Sequence, residues 1–223
     1  MIWADQDEVA AIIQRIGPAV LSTVTAGAGS SGSELRRLIG KLLASDSAIT
    51  DSASFAAQMI DCLNEARAAG ATWVTMARVR LQALSESPQS LSATVLVQMI
   101  VRLSLAQEAR LVTDLEFKSR DDVDSVAQTM AAAFDAAAEI ASDDLQAGAY
   151  MAIISLQAAV TKYLTDTGRQ LPRVVNYHVV QTLPALAMAQ RFYADASRAD
   201  DLRNENKVVH PAFMPRDGRM LAV

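Results

Sequence analysis

The sequence contains a single cysteine, Cys62, and two histidines, His178 and His210. A lone thiol cannot close an intramolecular disulfide. The two histidines form no His-x-x-x-His pair, and no Cys-x-x-Cys spacing exists, so no metal constellation is expected. Aromatic residues make up 5% of the chain. The basic cluster Arg36, Arg37 and Lys41 has no aromatic residue between its members on which bases could stack, and it reads as a solvated helix face. Positive charge is not in excess: 20 Lys and Arg stand against 25 Asp and Glu, a net charge of -5. That balance argues against a whole-molecule electrostatic grip on nucleic acid. The most apolar stretches, 95–105 and 147–160, are interrupted by Gln98, Arg102 and Gln157 and fall short of the roughly 20 apolar residues that a bilayer core requires. The N-terminus is acidic where a signal peptide would be basic, so synthesis in the cytoplasm without such a peptide is expected. No Gly-x-Ser-x-Gly elbow, dinucleotide fingerprint or phosphate loop appears, so neither an enzyme site nor a cofactor is expected.

What the chain does have is 51% hydrophobic residues over 223 positions, enough to bury a substantial core. Small alanine side chains let helices approach closely, and nine methionines can fill irregular gaps between them. An all-α, multi-helix bundle follows, with a short extended segment and an irregular C-terminal tail. Residues 1–170 are expected to form the bundle, with a flexible loop near 26–32. Residues 171–223 are expected to form a helix pair and an extended tail packed on it.

Along the chain, Asp5 or Asp7 opens a first helix whose Val9, Ile12, Ile13 and Ile16 share one face, until Gly17-Pro18 breaks or kinks it. Ala26-Gly27-Ala28-Gly29-Ser30-Ser31-Gly32 reads as a loop. It lacks the preceding strand and the Lys-Ser or Lys-Thr pair that a phosphate cradle needs. Ser33 then caps a helix over 34–44. A helix over 52–69 ends at Gly70, and Cys62 lies on its inward face with Phe55, Met59 and Leu63, as a small core residue instead of a nucleophile. A helix over 72–84 follows, then a long one opened by Ser87-Pro88 and running to about Glu116, apolar on nearly every side and therefore central.

Ser119-Arg120-Asp121-Asp122 forms a capping box for a helix to about Ala141, and Ser142-Asp143-Asp144 opens the next, to about Thr167. The carboxylate pairs Asp121-Asp122, Asp143-Asp144 and Asp200-Asp201 could be read as acid–base dyads. Their expected places in first helical turns, where the dipole favours negative charge, explain them more simply.

Beyond Leu171 the run Val174 to Val180 is β-favouring. Thr182 and Pro184 start one helix, and Ser197 to Asp200 start another. Past Asn206, Pro211 and Pro215 forbid a continuous helix, and coil with a turn at Asp217-Gly218 is expected. This segment holds seven basic against five acidic residues, and the rest of the chain thirteen against twenty, so the C-terminal part is the less acidic pole.

The order and spacing of Leu171-Pro172-Arg173-Val174-Val175, Leu183-Pro184-Ala185-Leu186, the run from Arg191-Phe192-Tyr193 to Leu202, Asn206, and His210-Pro211-Ala212-Phe213-Met214-Pro215 resembles the C-terminal part of the Mu-like phage DNA circularisation protein family. Those proteins are tail or baseplate components of contractile-tailed phages. A weaker similarity begins at Phe117. The resemblance implies a virion-tail protein made in the host cytoplasm, oligomeric, whose partners are other tail or baseplate proteins. Members usually carry a separate N-terminal domain, and no role of that domain is expected of this chain.

Apolar groups near a chain end need burial somewhere, either on their own domain or on a neighbouring subunit. The residues singled out as interface candidates are Tyr177, Arg191, Phe192, Tyr193, His210, Phe213 and Met214. The family name also implies an alternative, a protein that accompanies DNA ends and promotes or protects a circular form after injection. A third class, a tail-borne enzyme, would need the catalytic constellation that the sequence lacks.

Overall fold

A computed structural model describes residues 5–24 and 29–222. The fold is all-α with one two-stranded sheet. The helices are α1 (Gln6–Leu21), α2 (Gly29–Leu43), α3 (Asp46–Thr50), α4 (Ser52–Ala68), α5 (Trp73–Leu84), α6 (Leu91–Leu111), α7 (Arg120–Asp143), α8 (Ala147–Gly168), α9 (Ala185–Tyr193) and α10 (Ala199–Glu205). The strands are β1 (Val174–His178) and β2 (Asp217–Leu221).

The chain divides into two compact units: the first comprises 1–115 and 132–160, the second 116–131 and 161–223. Where the sequence suggested a break near residue 170, the second unit therefore also takes in 116–131 and 161–170, and the residues of α7 and α8 are divided between the units.

In the first unit α6 is the central element, as its uniform apolarity predicts. Leu96, Ile100, Ser104 and Glu108 are all inaccessible to solvent, and α4 and α5 pack against the helix. Cys62 lies in this core with Phe55, Met59 and Leu63, and burial pushes its thiol up to about 12. One ion pair is buried here: Arg80 of α5 donates to both carboxylate oxygens of Glu108, at 2.7 and 3.3 Å. Burial raises the Glu108 carboxyl against the opposing pull of Arg80.

Several helix boundaries differ from expectation for definable reasons. Helix α1 continues through Gly17-Pro18 to Leu21. Pro18 falls in its last turns, where it costs little of the ladder, and its carbonyl still accepts from Ser22 N–H at 2.9 Å. Gly17 serves a close approach to α2: a Cβ there would lie 2.9 Å from Leu43 Cδ2. The loop expected near 26–32 is helical from Gly29, and 25–28 lie outside the described residues. Ser33 is thus inside α2 and caps nothing. Helix α6 starts at Leu91, not at Pro88, because Ser90 supplies the cap, accepting from Ala93 N–H at 3.2 Å. The Glu8 carboxylate of α1 accepts from Gln89 N–H at 2.7 Å and Ser90 N–H at 3.0 Å, closing the same helix end from outside. Those bonds hold the Glu8 carboxyl below its usual range.

The capping box of α7 forms as predicted: Ser119 N–H donates to Asp122 Oδ2 at 3.0 Å and Asp122 N–H to Ser119 Oγ at 3.2 Å. Ser142 and Asp143, by contrast, do not open α8 but end α7. The end closes with Gln146 N–H donating to the Ala141 carbonyl at 2.9 Å, and Leu145 sits between them at φ +56°. Ala194 after α9 and Lys207 after α10 adopt the same left-handed conformation, at φ +56° and +52°. Glycine takes this position without strain; another L residue pays about 1 kcal/mol.

Candidate interaction surface

The second unit is built on the antiparallel pairing of β1 with β2, in which Val174 faces Leu221 and His178 faces Asp217. The extended run expected over 174–180 contains the strand, which ends at His178. The coil expected past Asn206 is corrected: Asp217–Leu221 is its partner strand. Glycine is required at the centre, since a Cβ on Gly218 would run into Asn206 Oδ1 and Tyr177 Oη. The outer edge of β2 is closed by side chains: Asn206 bonds both backbone groups of Arg219, and Leu221 N–H donates to Tyr193 Oη at 3.1 Å. Glu205 also pairs with the Arg219 guanidinium.

Helix α9 begins at Ala185 after Pro184, and Thr182 precedes it without capping. Asp195, not Ser197, caps the chain entering α10, accepting from Ser197 N–H at 2.8 Å in a short 3₁₀ turn over 196–198. Met188, Ala189, Leu202 and Met214 form the centre of this unit's core, around which Tyr177, Val179 and Tyr193 close.

The seven candidate residues fall into two sets. Tyr177, Tyr193 and Met214 are interior, at 8%, 8% and 1% exposure. Tyr177 Oη donates to the Pro215 carbonyl at 3.3 Å, and its ring lies 5.1 Å from that of half-buried Phe192. The Tyr193 ring supports the Arg198 guanidinium 3.9 Å from its centroid. Burial raises both tyrosine hydroxyls. These residues hold the surface in place without forming it. Arg191, His210 and Phe213 are exposed. The His210 and Phe213 rings lie 5.3 Å apart, and His210 Nδ1 accepts from Ala212 N–H at 3.3 Å.

What fixes Phe213 is backbone. Ala185 N–H donates to the Pro211 carbonyl at 2.7 Å and Met214 N–H to the Leu183 carbonyl at 3.3 Å, so the loop over 209–214 is tied to the entry of α9 while Met214 anchors it in the core. Phe213 at 69% exposure, Leu186 at 62% and Val209 at 95% are left in water on these joined segments. Leu186 and Val209 carried no signal as surface residues in the sequence; a leucine in an amphipathic helix is by default read as core.

Among the described residues no group of three or more His, Cys, Asp or Glu is placed to hold a metal ion. His178 and Asp217 form an exposed pair, Nδ1 to Oδ1 at 2.6 Å, at one end of the sheet. The three aspartate pairs are dispersed. Asp121-Asp122 and Asp200-Asp201 stand in the first turns of α7 and α10 as expected, whereas Asp143-Asp144 is at the C-terminal end of α7. Asp144 there accepts from Gln98 at 2.7 Å. No described helix is long and apolar enough to cross a membrane. Compared with protein-family models and with curated proteins, the sequence matches none.

Proposed function

We infer that this chain is a structural component of a contractile phage or prophage tail, near the distal tail or baseplate, and that it acts by assembly. The observation that carries this reading is the exposed Phe213 on a backbone fixed from both sides. A loop that only needed to cover its own core would bury the ring; here Met214 does that work and Phe213 remains available to a neighbour. The likeness of 171–215 to the circularisation protein family supplies the setting, and its partners there are other tail proteins.

The test is fractionation of tail particles released from the source strain after prophage induction, with mass spectrometry of the purified tails. The chain is expected in fixed proportion to the tail's other subunits. Its absence from intact tails, with the chain present in the cell lysate, overturns the reading.

The DNA-end alternative is favoured by one observation: Arg173, Arg191, Arg216 and Lys207 are exposed and form no ion pair among the described residues. If all four contacted phosphates, affinity for duplex DNA would fall with salt at a log–log slope of about -3.6. A flat salt dependence would reject that reading.

A further inference from the structure

The two strands of the second unit differ at their outer edges. In an antiparallel pair the backbone groups of successive residues point alternately at the partner strand and away from it. Val179 N–H donates to the Arg216 carbonyl at 2.8 Å and Ala222 N–H to the Arg173 carbonyl at 2.7 Å. With the register between them, Val175 and Tyr177 also bond toward β2, and the N–H and C=O groups of Val174, Asn176 and His178 point outward. On β2 the outward residues are Asp217, Arg219 and Leu221, and the side chains of Asn206 and Tyr193 cover the last two. Nothing does this for β1: among the described residues no group hydrogen-bonds the outward N–H or C=O of Val174, Asn176 or His178. Asn176 and His178 are exposed, and Val175 between them and Val174 is 40% exposed.

The devices that keep an edge from pairing are also missing from β1. It holds no lysine, arginine, carboxylate or proline, and its register with β2 is continuous, without a bulge. The fold therefore shields the edge of one strand with side chains and leaves the other bare, regular and open to a further strand.

The open stretch is bounded. Two residues before Val174, Pro172 has no N–H to give, and its carbonyl already accepts from Arg120 N–H at 2.9 Å. At the other end β1 stops at His178. What remains is a short edge whose outward residues are centred on Asn176.

We propose that two copies of this chain pair through this edge, β1 against β1, antiparallel about a two-fold axis at Asn176, making one four-stranded sheet in the order β2-β1-β1-β2. The shape of the edge selects the occupant. Asn176 then faces Asn176 of the second copy, Val174 faces its His178 and His178 its Val174, so every outward N–H and C=O finds a partner. A register centred on Val174 would set Asn176 against Pro172, which cannot donate; one centred on His178 would carry Val174 past the end of the strand. In the Asn176 register Val175 comes opposite Tyr177 of the second copy, a β-branched and aromatic pair of the kind that stabilises antiparallel strands. The contact uses the same patch on both copies and closes at two. It goes beyond the tail reading and does not depend on it.

The position of Asn176 on the axis supplies the test. Asn176→Pro removes an N–H that points outward, so the bonds from β1 to β2 are kept while the central pair of the dimer is lost. Asn176→Lys and Asn176→Glu each set like charges directly opposite in their own dimers, but opposite charges in a mixed dimer.

The experiment is sedimentation equilibrium of the full chain against concentration, for the native protein, the three variants and an equimolar mixture of the lysine and glutamate variants, with circular-dichroism melts to show that each is folded. The native chain should pass from monomer to dimer. Asn176→Pro should weaken dimerisation roughly a hundredfold, as the loss of both hydrogen bonds of the central pair implies. The lysine and glutamate variants should each stay monomeric where the native chain dimerises, and their mixture should dimerise. Amide exchange at Val174, Asn176 and His178 should slow as concentration rises, while Val175 and Tyr177, already bonded to β2, change little. A native chain that stays monomeric up to about 1 mM, the weak end of measurable association, overturns the proposal and leaves the edge to a strand of a different protein. So does a dimer that survives Asn176→Pro and Asn176→Lys, or a mixture that restores nothing. Tail fractionation is read on particles and this contact on the purified chain, so either can fail without the other.

Discussion

Asn206 replaces a missing neighbour strand for Arg219: its Nδ2 donates to the Arg219 carbonyl at 2.7 Å, and its Oδ1 accepts from the Arg219 N–H at 2.8 Å. One side-chain amide thereby satisfies both outward backbone groups at the middle of β2. An edge strand left open is a template for unwanted pairing, and here it is covered from within. Asn206→Ala should destabilise the second unit by about 1–2 kcal/mol, the worth of the bonds lost at a partly buried edge. Amide exchange at Arg219 should accelerate by a corresponding factor. Asn206→Asp keeps the acceptor and loses the donor, so its stability should lie between the two.

The Arg80–Glu108 pair makes a sharper prediction about cost. Glu108 is wholly inaccessible and Arg80 nearly so, so removing one partner leaves a charge with no water to receive it. Glu108→Ala should cost about 3–5 kcal/mol in urea unfolding, whereas the double replacement Arg80→Met with Glu108→Leu should cost far less and could raise stability. Similar losses in single and double variants would mean that the pair contributes net stability of its own.

Cys62 should be chemically silent in the folded protein. Burial has pushed its thiol up to about 12, and the side chain has no exposed surface. A disulfide reagent at pH 8 should therefore label it only at the rate of unfolding, and at once in denaturant. Prompt labelling of the native protein would show that α4 opens locally.

Acid should act in part through Glu8. Its carboxyl is held below the usual value of 4.5 by the hydrogen bonds from Ser90 and Gln89, so the folded state binds its proton less readily than the unfolded chain. Its stabilising contribution is present above the unfolded value and is lost as pH falls through the lower, folded one. In Glu8→Gln the loss of thermal stability over that acid interval should be shallower, while stability at neutral pH is reduced. Circular-dichroism melts between pH 7 and pH 3 would read both effects.

The helical framework was legible because apolar side chains recur at helical spacing and polar caps stand where helices begin: Ser119 before α7 is found in its predicted role. What escaped prediction depends on distant partners. The sequence Asp217-Gly218-Arg219-Met220-Leu221 has little strand propensity and becomes a strand because β1, some forty residues earlier, offers it a register. Ser87-Pro88 looked like a helix start, but the cap formed at Ser90, where Glu8 reaches across from the first helix. Of the candidate site, the aromatic residues were visible by type, but whether each would face inward or outward was not. Tyr177 and Tyr193 turn inward, their hydroxyls bonded to the Pro215 carbonyl and the Leu221 N–H, whereas Phe213 stays 69% exposed.

The division of α7 and α8 between the two units has a genetic consequence. Because the second unit is assembled from residues 116–131 and 161–223, with part of the first encoded between them, every single crossover divides at least one of the two units. A crossover at Glu116 keeps the second unit whole only by carrying residues 132–160 of the first with it, so variants that survive shuffling should inherit the stretch from Glu116 to the C-terminus as one block.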